Sequence, residues 1–247
     1  MPSHIHIRFY EELNDFLPSR RKKTEFRHRF NGTPTIKDII ESIGIPHVEV
    51  DLVLANGEPV GFSYKPSEGD RVSVYPVFES MDISPVNRLR PEPLRVPRFI
   101  LDVHLGKLAR NLRMLGFDSC FDKDLDDPGI IEAATREQRT ILTRDLGILK
   151  NGKVQRGYYV RNIHPPEQLR EVLERFDLKG KIKPYSRCMQ CNGRIEKVDK
   201  EAIIDRLEPG TKKCFNEFYR CSNCGKIYWK GTHIDDMNLF IHTLLKM

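Results

Sequence analysis

The sequence predicts an α/β chain whose second half carries a parallel sheet, with a smaller α+β domain in front and a four-cysteine module behind. Three observations carry this. Residues 1–80 read strand, strand, helix, strand, strand; from Arg98 strands and helices alternate; and two Cys-x-x-Cys pairs, Cys188 with Cys191 and Cys221 with Cys224, stand near the end. Strand-helix alternation implies parallel strands joined by right-handed crossovers. The expected divisions are a front domain at 1–80, a linker at 81–97, an α/β domain at 98–180, and the cysteine module with a C-terminal segment at 181–247.

In the front domain, His4 to Tyr10 alternates and places Ile5, Ile7 and Phe9 on one face. Glu25 to Phe30 is a second short strand. Thr33-Pro34-Thr35 opens a helix through Ile36, Ile39 and Ile40, which Gly44 closes. Asp51 to Ala55 and Arg71 to Val77 are further strands, with Asn56-Gly57 as a turn signal. This order resembles a ubiquitin-like β-grasp domain. Sulfur carriers of that class end in Gly-Gly, whereas here Tyr75-Pro76-Val77-Phe78-Glu79-Ser80 runs on. The resemblance therefore implies an interaction or RNA-positioning role rather than a carrier. The run Arg20-Arg21-Lys22-Lys23 fits either a solvated loop or a phosphate contact. From Met81 to Arg98, four prolines (Pro85, Pro91, Pro93, Pro97) interleave with Arg88, Arg90, Arg95 and Arg98. Repeated proline removes backbone donors and favours an extended spacer.

The α/β half begins with a buried strand, Arg98 to Asp102, that ends in an acid. A helix from His104 to Leu115 follows, with Leu105, Leu108, Ala109, Leu112 and Leu115 on one stripe and Gly116 as its stop. Phe117 to Phe121 is the next strand. Asp127-Pro128 reads as N-cap and first helical position of a helix marked by Ile130, Ile131 and Ala134. Thr140 to Thr143 is a strand followed by Asp145; Gly157 to Val160 is another, and Pro166 to Phe176 is a helix. Sites in open parallel sheets form outside the carboxyl ends of the strands. Asp102 and Asp145 stand there, and Asp122, Asp124, Asp126 and Asp127 follow the intervening strand. Gathered carboxylates repel one another unless a cation neutralises them. Their hard oxygens suit Mg²⁺ or Mn²⁺, which can activate water and stabilise a leaving oxygen. The plainer reading makes Asp127 a helix cap and Asp122 to Asp126 a solvated loop.

Paired Cys-x-x-Cys spacing makes a tetrahedral site for structural Zn²⁺. The 29 residues from Asn192 to Arg220 between the pairs predict an elaborated ribbon. Cys120 and Cys214 are left over, the first expected as a buried small hydrophobe and the second as a bystander. Cysteine in metal spacing suits a reducing cytosol, so a cytoplasmic location is expected. No window is apolar enough to span a membrane and the start shows no secretory pattern. Net charge is +6, rising from −2 over residues 1–80 to +4 over residues 167–247, which favours an anionic partner such as nucleic acid. The ribbon places Phe215, Phe218, Tyr219, Tyr228 and Trp229 among Lys212, Lys213, Arg220, Lys226 and Lys230. Such rings form a small ribbon core or stack on unpaired bases.

The run Phe99 to Arg110 (FILDVHLGKLAR) with Leu112 to Asp118 (LRMLGFD), and Arg139 to Asp145 (RTILTRD), resemble the Mut-seven C-terminal RNase domain, a branch of the PIN-like nucleases. Arg187 to Gly193 and Cys221 to His233 resemble its zinc ribbon, and the ubiquitin-like front is an arrangement found with this family. The resemblance implies metal-dependent hydrolysis of RNA. It carries Asp102 and Asp145 over as acidic motif residues and Asp127 or Asp126 as the middle acid, Asp127 being preferred. Arg144 is then a phosphate or transition-state contact, and Arg110, Arg113, Lys226 and Trp229 are candidate RNA contacts. PIN domains commonly have a fourth acid after the third, where this chain has Leu146-Gly147-Ile148-Leu149, so one or two catalytic ions remain open. RNA, a protein docked on the ubiquitin-like domain and a second copy of the chain are the expected partners. The rival readings are a non-catalytic RNA-binding module and a scaffold with a structural ribbon.

Overall fold

A computed structural model describes residues 2–76, 89 and 97–246. The expected linker therefore lies outside the described residues except for Leu89 and Pro97. In chain order the front half holds β1 (Ser3–Phe9), β2 (Phe26–Phe30), α1 (Ile36–Ile43), β3 (Val50–Ala55), β4 (Glu58–Pro59) and β5 (Arg71–Pro76). There follow β6 (Arg98–Leu101), α2 (Gly106–Met114), β7 (Asp118–Phe121), α3 (Asp127–Glu137), β8 (Thr140–Thr143), α4 (Leu146–Leu149), β9 (Gly157–Tyr159) and α5 (Pro165–Arg175). The last part holds β10 (Ile195–Val198), α6 (Pro209–Cys214), β11 (Phe218–Cys221), β12 (Ile227–Trp229) and α7 (Thr232–Lys246). Two compact units result: one joins the front half to Asp126–Tyr159, the other joins Pro97–Leu125 to the chain from Val160 onward.

The front sheet runs β2-β1-β5-β3-β4, with β1 parallel to β5 and every other pairing antiparallel. This is the ubiquitin-like arrangement. The side chains that alternate inward explain it: Ile5, Ile7, Phe9, Val53, Val72 and Val74 meet Ile36, Ile39 and Ile40 of α1 in one core. Helix α1 starts where Thr35 and Asp38 form a reciprocal capping box, and it ends at Gly44, whose φ of 118° suits glycine. In the same unit β8 and β9 pair in parallel. They are tied to the front half by hydrogen bonds across long sequence separations. The Glu49 carboxylate accepts from Tyr159 N at 2.6 Å, His47 Nε2 lies 3.0 Å from Val154 O, and Lys150 Nζ donates to Glu41 O at 3.0 Å.

In the second unit β6 and β7 pair in parallel, Ile100 opposite Cys120. The expected stripe of Leu105, Leu108, Ala109, Leu112 and Leu115 is buried. Three local differences from the sequence reading appear. The helix expected from His104 begins as a 3-10 turn at Val103–Leu105 and becomes α-helical only at Gly106, because Asp102 caps that tighter turn. The N-cap of α3 is Asp126, not Asp127, so Pro128 stands at the second helical position. Proline is tolerated there because the first-turn N–H groups have no helical partner. Cys120 is half-buried rather than buried. The ribbon is an antiparallel meander, β10-β11-β12. A 3-10 turn (Glu201–Arg206) and α6 fill the long interval between cysteine pairs, and Ile203, Leu207 and Phe218 form its core.

Candidate functional site

The two Cys-x-x-Cys segments fold into knuckles of one shape. Cys188 N donates to Gly193 O at 2.8 Å while Asn192 N donates to Cys188 O at 2.9 Å; Cys221 N donates to Lys226 O at 2.9 Å while Gly225 N donates to Cys221 O at 3.1 Å. Asn192 and Gly225 take the left-handed backbone that closes each turn, with φ of 66° and 70°. Gly193 must lack a side chain, because a Cβ would come within 2.7 Å of Cys221 Sγ. The four Sγ atoms lie within 4.8 Å of one another, with Cys188 to Cys224 at 3.7 Å and Cys191 to Cys221 at 3.4 Å. A tetrahedral zinc with Zn–S near 2.3 Å separates its sulfurs by about 3.8 Å, so the set could hold zinc. The thiols also interact strongly. For Cys191 burial acts upward, but the Gly193 N–H and the other three sulfurs outweigh it and bring the thiol to about 6. Cys224 is pushed up to about 12, by burial first and then by its sulfur neighbours. Four sulfurs this close can all be thiolates only with a cation among them.

The first knuckle is fastened to β7. Arg113, on α2 and buried, donates from Nε to Ser119 O at 2.8 Å and from Nη1 to Gln190 O at 2.9 Å and Met189 O at 3.3 Å. Asn192 Oδ1 accepts from Ser119 N at 2.9 Å and its amide donates to Asp118 Oδ1 at 2.7 Å. Arg187 completes the set, pairing with Asp118 Oδ2 at 3.1 Å and donating to Asn192 O at 3.0 Å. Tyr228 Oη lies 3.0 Å from Cys188 Sγ. Arg113, expected as an RNA contact, thus has its guanidinium on three backbone carbonyls. Sequence reasoning missed Asn192 and Asp118; the only signal was the Asn-Gly pair after Cys191.

The acidic residues each stand at the head of a helical turn. Asp102, 3% exposed, follows β6 and accepts from His104 N at 2.8 Å. Asp145 follows β8, is exposed, and accepts from Gly147 N at 2.6 Å; its own N–H donates to Thr143 Oγ1 at 2.8 Å. Asp126 accepts from Gly129 N at 2.9 Å, and Asp127 is the first residue of α3 with an exposed side chain. Asp122 accepts from Asp124 N in the preceding loop. Asp102 belongs to the second unit, and Asp126, Asp127 and Asp145 to the first. Arg144 is half-buried beside Asp145, while Arg110, Lys226 and Trp229 are exposed in the second unit.

Comparison with known proteins extends this picture. A family model described as the Mut7-C RNAse domain matches residues 97–241, and one described as Mut7-C ubiquitin matches residues 2–82. No curated protein matches. Among solved structures, SAMP1 from Haloferax volcanii is similar over 32% of this chain and 100% of its own, at 14% identity and a TM-score of 0.25. No helix among the described residues is long and apolar enough to cross a membrane.

Proposed function

The chain belongs to the Mut7-C RNAse domain family, and on that premise we propose that it is a metal-dependent ribonuclease hydrolysing phosphodiester bonds of RNA in the cytoplasm. The observation that carries the reading is the placement of its acids: Asp102 and Asp145 stand just past the carboxyl ends of parallel strands, and Asp127 heads α3. On the family resemblance we assign Asp102, Asp127 and Asp145, each by its own place at a strand or helix end, as Mg²⁺ or Mn²⁺ ligands; their donor atoms are the hard carboxylate oxygens those ions take. A bound ion of this kind supplies an activated water and neutralises phosphate charge. The chain's own contribution is orientation. Backbone N–H groups of His104 and Gly147 each hold one oxygen of Asp102 and Asp145, which fixes both carboxylates without a moving part. Asp126 serves α3 as its cap, and Arg144 is assigned to the phosphate. Zinc on the four cysteines is structural, since a filled Cys₄ site has no open position for water.

The test is cleavage of end-labelled linear RNA and of circular RNA by the purified chain with Mn²⁺. Cutting of both forms, abolished in Asp102→Asn and Asp145→Asn, is the expected result, and cutting of the circle identifies an endonuclease. Undiminished activity in Asp102→Asn overturns the assignment. A second reading, an RNA-binding module without catalysis, is favoured by α4, whose Leu146–Leu149 offers no fourth acid after Asp145; RNA binding with no cleavage under any divalent ion would establish it.

A further inference from the structure

Within the second unit, α2, strands β11 and β12 and helix α7 enclose a cleft of about 750 Å³. Its walls carry the rings of Tyr185, Tyr219, Tyr228 and Trp229, with Met114 and Met237 between them. Four cations line it as well, Arg110, Arg187, Lys226 and Lys230; among the described residues no carboxylate lines it, although Asp235 of α7 acts electrostatically on Tyr185. Two of these cations are already neutralised: Arg187 pairs with Asp118 at 3.1 Å and Lys230 with Glu217 at 3.1 Å. Arg110 and Lys226 make no ion pair among the described residues, and both are exposed. Tyr185 Oη donates to Asn238 Oδ1 at 2.7 Å, which fastens α7 along one side. Trp229 has Phe215 as a ring neighbour at 6.3 Å yet stays 38% exposed.

An occupant that satisfies this lining has a flat apolar body and carries negative charge. An apolar peptide leaves the cations without purpose, and an acidic peptide leaves the rings without purpose. Nucleotides combine both properties, for base–aromatic stacking tolerates any base while phosphates meet cations. The volume lies in the range of pockets that take small organic groups rather than a duplex. We propose that this cleft binds one or two unpaired nucleotides of RNA, their bases against the Trp229 and tyrosine rings and their phosphates at Arg110 and Lys226. The proposal rests on the ribonuclease reading for its choice of polymer, but it assigns a binding site separate from the acidic residues. Because Tyr228 touches both the cleft and Cys188, the same knuckle that takes the metal also shapes the nucleotide wall.

Trp229 is the single tryptophan of the chain, so its fluorescence reports on the cleft alone. The experiment uses full-length, zinc-loaded Asp102→Asn protein, in which Asn can still cap the turn at His104. It is titrated with octauridylate, octaadenylate, a blunt-ended RNA duplex of two fully paired strands, and an acidic peptide. Saturable quenching by both single strands, and none by the duplex at equal concentration, is expected. The double variant Arg110→Ala/Lys226→Ala should raise Kd at least about tenfold and reduce the slope of log K against log salt by about 1.4, which is 0.7 for each lost phosphate contact. A merely structural role for the two cations does not change that slope. The proposal is overturned if single strands bind by anisotropy while Trp229 emission is unchanged, if the double variant binds with an unaltered slope, or if only an acidic peptide quenches. Quenching without cleavage by the parent protein supports the cleft and sinks the nuclease reading; cleavage without quenching does the reverse.

Discussion

Arg113→Met is the substitution whose effect the structure specifies most fully. The side chain is 5% exposed, and its guanidinium makes two short hydrogen bonds, to Ser119 O at 2.8 Å and Gln190 O at 2.9 Å, and a longer one to Met189 O at 3.3 Å. Methionine keeps most of the aliphatic packing and leaves all three carbonyls without this donor. A hydrogen bond from a charged group contributes about 1.5–3 kcal/mol net, so losing the two short ones costs about 3–4 kcal/mol after packing is conserved. In a domain of this size that loss lowers Tm by about 10 °C. Two of the carbonyls belong to the residues between Cys188 and Cys191, so the knuckle loses its support and zinc affinity should fall about 10- to 100-fold. Differential scanning calorimetry of the zinc-loaded protein and competition with a colorimetric chelator measure the two effects. Arg113→Lys, which can reach one carbonyl but not the fork of three, should fall between. A variant with zinc affinity within about twofold of the parent would refute the claim that Arg113 supports the knuckle. An unshifted Tm would refute the claim that these bonds matter at all.

Three further outcomes follow from local geometry. Gly116→Ala should destabilise the chain by at least about 2 kcal/mol in urea unfolding, because φ is 93° there and a Cβ would collide with Lys183 O. Asn192→Gly keeps the left-handed turn but removes the acceptor of Ser119 N and the donor to Asp118, so a loss of about 1–3 kcal/mol is expected despite the favourable backbone; an unchanged midpoint would argue against it. Asp70 is pushed up by burial, but Ser67 N, Tyr64 Oη and Asn56 Nδ2 outweigh this and hold its carboxyl below the usual 3.8. Its folded value being the lower one, the stabilisation is full above the unfolded value of 3.8 and is lost as pH falls through the folded value. Asp70→Asn should therefore cost about 1–3 kcal/mol at neutral pH and progressively less in acid, read by denaturation across that range.

Much of the fold was legible because its signals are local. Periodicity placed the α2 stripe, and Gly44 and Gly116 marked real left-handed stops. Cysteine spacing picked out the four sulfurs that converge, since two knuckles need only short turns to do so. What escaped was long-range. Arg113 reads from the sequence as a candidate RNA contact, and only residues 76 and 77 positions away turn it into a buried clamp. The attachment of Asp126–Tyr159 to the front half depends on pairs such as His47 with Val154, 107 positions apart, for which no periodicity exists. The sequence made Asp127 the cap because proline favours the first helical position, but the helix starts one residue earlier, with Asp126 as cap and Pro128 second.

Among the described residues strand β7 has a strand neighbour, β6, on one side only, and the N–H and C=O of its Ser119 are taken by Asn192 and Arg113. An unpaired strand edge is a template for another chain, and proteins blunt it with a cover. Here the cover is shared by Asn192, in the turn after Cys188 and Cys191, and by Arg113 of α2. If that turn opened, Ser119 N would be left without its acceptor and the β7 edge would be more exposed to pairing with another chain. The turn that brings two of the four cysteines together thus also closes one edge of a sheet.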